Sequence, residues 1–255
     1  MSRRLVLIAA AAAMAISACA NPFGPHYEYE EQVYVSVDGQ ATVSVDASLP
    51  ALVALRGAAI DPSVDGKTDR DAIRRVYESG GCRVDDVSRF WQRNGRRFVQ
   101  ITLGAGDLQQ LSTCSLLAWS AYSLVPLGVD GLKYQQTVGA PVPASAELSA
   151  ANWDGTELIA FKVHVPARIR FHNVKRLDGT DGDISGGNIL TWEQRLADRR
   201  AGKPVVMQVD MDATSILRTT LWIFAGTFAA AVVALVLLIW WTMRRGRRDA
   251  PRRRT

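Results

Sequence analysis

Residues 27–47, YEYEEQVYVSVDGQATVSVDA, decide the fold class. Val33, Val35 and Val37 fall on one face of an alternating run, with Tyr34 and Ser36 on the other, which is the period of a half-buried strand. Asp38-Gly39 follows, a pair suited to a tight turn, and ATVSVDA then alternates again. The stretch predicts a β-hairpin with one face in a core. A second hairpin centres on Asn94-Gly95, between SRFWQR and RRFVQITL. Further strands are expected at 133–138, 158–165 and 168–174. A last pair, 189–196 and 205–211, is joined through Ala201-Gly202-Lys203-Pro204. Thr68-x-x-Asp71 resembles a capping box, opening a helix whose Ile73, Val76 and Tyr77 share a face and which Gly80-Gly81 ends. Asp107-x-x-Gln110 caps a second short helix carrying Leu108, Leu111 and Cys114. Residues 139–147, GAPVPASAE, form a dividing loop, and no internal repeat is present. The expected architecture is α+β, a mostly antiparallel sheet with two short helices, large enough for its own core.

Both ends of the 255-residue chain lie outside that domain. Arg3 and Arg4 precede a short apolar run, 5–16, the build of a secretory signal peptide, assigned to residues 1–18. Residues 219–243, TTLWIFAGTFAAAVVALVLLIWWTM, hold 25 positions without a charge. At about 1.5 Å per residue they cross a hydrocarbon layer of about 30 Å. Trp222 lies near one end, and Trp240 and Trp241 at the other, where indoles favour the headgroup region. RRGRRDAPRRR follows, with seven arginines against one aspartate. Such clusters stay on the cytoplasmic side, so the tail, 244–255, is inside, the span is 216–243, and the domain, 19–215, is outside. Of 30 basic residues, removing two in the leader and seven in the tail leaves 21; of 25 acidic ones, removing Asp249 leaves 24, for a net of −3. The overall +5 and pI near 9.3 therefore report topology and give no support to nucleic-acid binding.

Residues 15–24, AISACANPFG, carry two processing signals. Cleavage before Cys19 uses Ile16-Ser17-Ala18-Cys19, like the lipobox of bacterial lipoproteins, and leaves Cys19 as the lipidation site. Cleavage after Ala20 uses Ala18-Cys19-Ala20 and discards the cysteine. The aliphatic residue three places before Cys19 favours the first. Cys82 and Cys114 then remain as an even pair in an oxidising compartment. A disulfide between them closes a loop of roughly 33 residues and stabilises by about 3–4 kcal/mol in the chain-entropy picture. Two separate buried thiols are the alternative.

Motifs for chemistry are sparse. Asp65-Gly66-Lys67-Thr68 ends like a phosphate-binding loop, but Asp61 stands where its first glycine belongs and would repel phosphate. Asp181, Asp183, Ser185 and Gly186 begin like a calcium loop, yet position 12 is Trp192, so a solvated turn is expected and no metal site is assigned. His164 and His172 sit in expected strands, and His26 is the third histidine. With no nucleophile elbow, zinc motif or cofactor fingerprint, the expectation is a non-enzyme with no cofactor.

The better candidate is the second hairpin. A two-residue turn at Asn94-Gly95 sets Arg93 opposite Arg96 and Trp91 opposite Phe98. Phe90, Val99, Ile101 and Leu103 then face the core, while Arg89, Trp91, Arg93, Arg96 and Phe98 face the other way. Like charges directly opposed are unfavourable, so Arg93 and Arg96 are expected to meet an acid, either Asp85 or Asp86 or an anionic ligand. Guanidinium groups beside an indole suit an anionic headgroup or polymer. Arg168, Arg170 and His172, alternating with Ile169 and Phe171, form a second strip. Solvated strand faces are the bland reading of both.

Cys19 with its lipobox, an α+β domain, GNILTWEQRL at 187–196, another strand, one apolar helix and an arginine-rich tail follow in order. This arrangement resembles the LppM-type membrane lipoproteins of actinobacteria, which share a Gly-Asn-x-x-Thr-Trp-like strand shortly before the span. The chain departs from them at Glu193-Gln194-Arg195 and in its Cys82/Cys114 pair. The resemblance implies an extracytoplasmic, membrane-held domain with lipid or envelope interactions, and it carries no catalytic residues. The expected function is a binding module for anionic membrane lipid or an envelope glycopolymer. The alternative is an assembly subunit that contacts another membrane protein through Ala225, Gly226, Ala229 and Ala230.

Overall fold

The structure, a computed structural model, describes residues 25–141, 153–186 and 188–248. The signal peptide, the lipidation signal at Cys19, most of the dividing loop and the last seven residues lie outside the described residues. The first hairpin forms as expected, β1 (Tyr27–Val35) pairing antiparallel with β2 (Ala41–Ser48), with Val33 opposite Val43. After β2 the chain enters a helix that the sequence reading did not expect, α1 (Leu49–Arg56). Ser48 caps it by accepting the Ala51 amide, and Gly57 ends it at φ 63°. Helix α2 (Arg70–Ser79) buries Ile73 and Tyr77, but its cap is Asp69, which accepts the Ala72 amide. Thr68 instead ties its hydroxyl to both backbone groups of Asp61. Strands β3 (Val84–Val87), β4 (Trp91–Arg93) and β5 (Arg96–Ala105) follow, and the helix expected after Asp107 is a 3-10 turn over Leu108–Thr113. Cys82 and Cys114 are bonded, Cα atoms 4.6 Å apart, stapling the end of α2 to the end of that turn.

The remaining elements are β6 (Ser120–Leu127), β7 (Gly131–Val138), β8 (Leu158–His164), β9 (Ala167–His172), β10 (Ile189–Arg195), α3 (Leu196–Arg200), β11 (Val205–Ser215) and α4 (Ile216–Arg248). They build two sheets. The first runs β10-β8-β1-β2-β5-β3, with β4 also on β5, and is antiparallel except for β1 against β8. The second, β6-β7-β11-β9, is antiparallel throughout. The expected pairing of 189–196 with 205–211 does not occur. Helix α3 intervenes, and the two strands belong to different sheets. Val165-Pro166 divides β8 from β9 likewise, because proline lacks the amide that would continue the ladder.

One core joins the sheets: Val43, Val45, Ile101, Phe161 and Val163 from the first, Tyr134, Met207, Val209 and Met211 from the second. Within it lies a charged junction. Glu31 of β1, fully buried, pairs with Arg56 of α1 at 2.5 Å and accepts from the hydroxyls of Tyr29 and Tyr122 and the amide of Gln136, each at 2.9 Å. Tyr122 and Gln136 stand on β6 and β7, so this carboxylate fastens one sheet to the other. Beyond β11, helix α4 holds the apolar stretch Thr220–Arg245, none of it buried, long and apolar enough to cross a membrane. At its far end the guanidinium groups of Arg244 and Arg245 lie over Trp240 and Trp241.

Candidate functional site

The face of the first sheet turned away from the core is built of hydrogen-bonding side chains. Alternation places Glu30, Gln32 and Tyr34 of β1 there, Thr42, Ser44 and Asp46 of β2, Gln100 of β5, Lys162 and His164 of β8, and Thr191 and Glu193 of β10. The β1–β8 register slips between Tyr27 and Tyr29, and Tyr27 lines the same cleft as Glu30 and Gln32. These groups form a chain. Tyr34 donates to Gln32 at 3.1 Å, Gln32 to Glu30, and Lys162 to Glu30 at 2.8 Å. Tyr27 closes it at the other end, donating to Glu193 beneath the Lys162 ammonium. A cleft of about 610 Å³ runs along this row from Pro25 and Tyr27 to His164 and Ile189, and the segment around Val174, Arg176, Gly182 and Asp183 forms its other wall.

Burial raises the hydroxyls of Tyr27 and Tyr34 on this face, and it shifts two further groups toward the range between about pH 4 and 6. Burial raises the Asp46 carboxyl to about 6, against the opposing effects of Gln100 and Lys162. Burial, helped by the Lys162 charge, lowers His164 to about 4, so its ring is neutral near pH 7. The His164 ring bonds Gln32 through Nε2 at 2.9 Å and stacks on Tyr34, centroids 4.0 Å apart. Tyr34 is 42% exposed.

The second hairpin forms with the expected register, Trp91 opposite Phe98 and Arg93 opposite Arg96, and Asn94 and Gly95 both take positive φ, 51° and 69°. It lies at the opposite end of the same sheet face, because Phe98 pairs with Ser48 at the far end of β2. The acid that the arginines meet is neither Asp85 nor Asp86. Arg96 bonds the buried Glu28 of β1 at 2.9 Å, and Trp153 also approaches that carboxylate. Arg93 donates to the Tyr27 carbonyl, its guanidinium 4.2 Å from the Phe98 centroid. Trp91 stacks on Phe98 and keeps 38% of its surface, and Arg89 is exposed beside it. Phe98, expected on an open face, is buried beneath Trp91 and Arg93.

The second strip stands apart. Arg168 and Arg170 belong to β9 in the other sheet, and Arg170 is engaged by Asp130 and Asp212. Asp181 and Asp183 pair with Lys175 and Arg176, and among the described residues no group of three metal-ligating side chains is assembled.

The sequence reading missed the cleft, though part of its signal was present. The polar positions Lys162, His164, Thr191 and Glu193 alternate with apolar ones in β8 and β10, Glu31 interrupts that pattern between Glu30 and Gln32 of β1, and only the pairing of β1 between β2 and β8 reveals that the six share a face. No protein-family model matches the chain, and no curated protein sequence matches it. Among solved structures it is similar to the folded domain of the LppM protein of Mycobacterium tuberculosis, with a TM-score of 0.38 and 13% sequence identity over 77% of this chain and 96% of that one. That is a distant likeness of fold.

Proposed function

We propose that this chain is a membrane-tethered, extracytoplasmic module that binds an envelope glycopolymer along the outer face of its first sheet. The observation that carries the reading is a hydrogen-bonding face flanked by two exposed aromatic stacks, Tyr34 on His164 at one end and Trp91 on Phe98 at the other. The two are separated by roughly 20 Å along the strand direction at about 3.3 Å per residue. Sugar rings offer hydroxyls to carboxylates and amides at their edges and C–H groups to aromatic faces, which matches this order of side chains. The charge balance separates the two ligand classes named from sequence. Glu30, Glu193, Asp46 and Asp183 offset Lys162 and Arg176, and Arg96 is already paired with Glu28. An anionic headgroup would meet those four carboxylates against two cations there, whereas a neutral, hydroxyl-rich chain meets both donors and acceptors. In this reading α4 crosses the cytoplasmic membrane with its arginines inside, and Cys19 carries a lipid.

Titrating the detergent-solubilised full chain with β-1,4-linked oligosaccharides of four to six N-acetylhexosamine units tests the proposal. Saturable binding that weakens at least tenfold in both Tyr34→Ala and Trp91→Ala supports it. No binding by the parent, or equal affinity in the variants, removes the glycan reading.

A further inference from the structure

The strand that leads into α4 fixes what else lies at the base of the domain. Ile216, the first residue of α4, donates its amide to the Pro166 carbonyl, and Ala213 donates to the Asp130 carbonyl at 2.8 Å. Asp130 closes the β6–β7 turn. Because β7 starts with Gly131 opposite Asp212, that turn projects beyond the sheet in the direction in which β11 runs toward the helix. Val129 at its tip is fully exposed. Arg170 pins the turn, reaching Asp130 on one side and Asp212 of β11 on the other. Arg168 stands on the same face of β9, closer to the helix, since Ala167 pairs with Ser215. It is exposed and has no ion-pair partner among the described residues. The apolar stretch begins at Thr220. Four residues of helix rise about 6 Å, which is the depth of one headgroup layer.

We infer that the β6–β7 tip and the start of β9 form a second surface whose partner is the bilayer itself: Val129 enters the headgroup layer and Arg168 meets lipid phosphate. The inference rests on α4 spanning the membrane and is independent of the glycan face. Arg170 acts as a positioning residue, holding the tip at the level of the helix start, and Arg168 supplies the attraction to an anionic leaflet. The surface would limit rocking of the domain on its single helix and keep the cleft at a set angle to the membrane.

The test uses the full chain in vesicles of phosphatidylcholine and phosphatidylglycerol, with an environment-sensitive fluorophore on Val129→Cys, Ala201→Cys or Leu235→Cys and the parent's background labelling subtracted. Nitroxide lipids, labelled at the headgroup or in mid-chain, serve as quenchers. Expected is strong headgroup quenching at 129, little at 201, which lies at the other end of β11, and mid-chain quenching at 235. Adding Arg168→Ala is expected to lower the quenching at 129. If 129 is quenched no more than 201 while 235 responds, the tip contact is overturned and the span stands. If 235 does not respond, both fall. Unchanged quenching at 129 after Arg168→Ala removes the arginine from the surface.

Discussion

Glu31 is the residue on which the two sheets depend most directly. A fully buried carboxylate is tolerated only when charge and hydrogen bonds replace its water, and here Arg56, Tyr29, Tyr122 and Gln136 do so. Arg56→Met removes the counter-charge and leaves the carboxylate among apolar neighbours, so it is expected to cost about 3–5 kcal/mol. Adding Glu31→Gln is expected to recover part of that loss, since the amide is neutral, its oxygen still accepts from Tyr122 and its NH2 can donate to the Tyr29 hydroxyl. Thermal unfolding of the parent, the single and the double variant checks the order, and a double variant less stable than the single one would refute it. On the outer face, Asp46 and His164 make opposite demands on pH. Asp46 is raised from 3.8 to about 6 in the fold, so its contribution is fully present below pH 4 and is lost as pH rises through 6. His164 is lowered from 6.5 to about 4, so its contribution is present above pH 6.5 and is lost as pH falls toward 4. The two slopes oppose each other in the same window. Asp46→Asn is therefore expected to make stability fall on acidification from pH 6.5 to 4, and His164→Gln to make it rise. Unfolding midpoints across that window report both, and parallel curves for the two variants would sink the assignment.

At the scale of elements, the disulfide carries the peripheral helix. Helix α2 lies over β3, and Cys82–Cys114 with the Ser115 amide on the Gly80 carbonyl ties its end to the 3-10 turn. The double variant Cys82→Ser, Cys114→Ser is expected to lose about 3–4 kcal/mol, and the parent under reducing conditions to fall to the same midpoint. Equal stability with and without reductant would mean that the sheets alone hold α2. Both hairpins and α2 were legible because each announces itself within a dozen residues, by period or by turn chemistry, and the apolar helix by its 25 uncharged positions. Helix α1 was not, because LPALVALR is buried all round and shows no amphipathic period. Its Ser48 cap and early proline were the available signal. Strand β6 was hidden by Pro126, which an edge strand tolerates and an interior one does not. The parallel pairing of β1 with β8 joins residues more than 120 positions apart, and local alternation tells which face a residue takes, never which strand lies beside it. For that reason sequence alone points to the nearby Asp85 and Asp86, or to a ligand, as the acid that the arginines meet, and not to Glu28. Glu28, which neutralises Arg96, sits in the first strand and reaches the second hairpin only through the sheet.

For the molecule as a whole, strand direction constrains how two anchors act together. Strand β1 runs parallel to β8, so its Val35 end lies beside His164 and Pro166, where α4 departs, and Tyr27 lies at the other end. Nine residues of strand place Tyr27 about 26 Å from that end. The eight intervals from Cys19 to Tyr27 reach at most about 26–29 Å. If α4 spans the membrane, β1 stands along the bilayer normal and Cys19 carries a lipid in the same leaflet, the eight intervals from Cys19 to Tyr27 are just long enough to cover the length of β1, with no slack. Intact-mass measurement on the mature chain from native membranes establishes the lipid first, a mass starting at Cys19 with acyl chains as against one starting at Asn21. With the lipid confirmed, deleting residues 21–24 is expected to make the tether too short and tip the domain off its base, lowering headgroup quenching at a fluorophore on position 129. Adding Cys19→Ser to the deletion is expected to restore the quenching, because the strain acts only through the lipid. A lipidated deletion variant with full quenching would show that β1 does not stand along the bilayer normal.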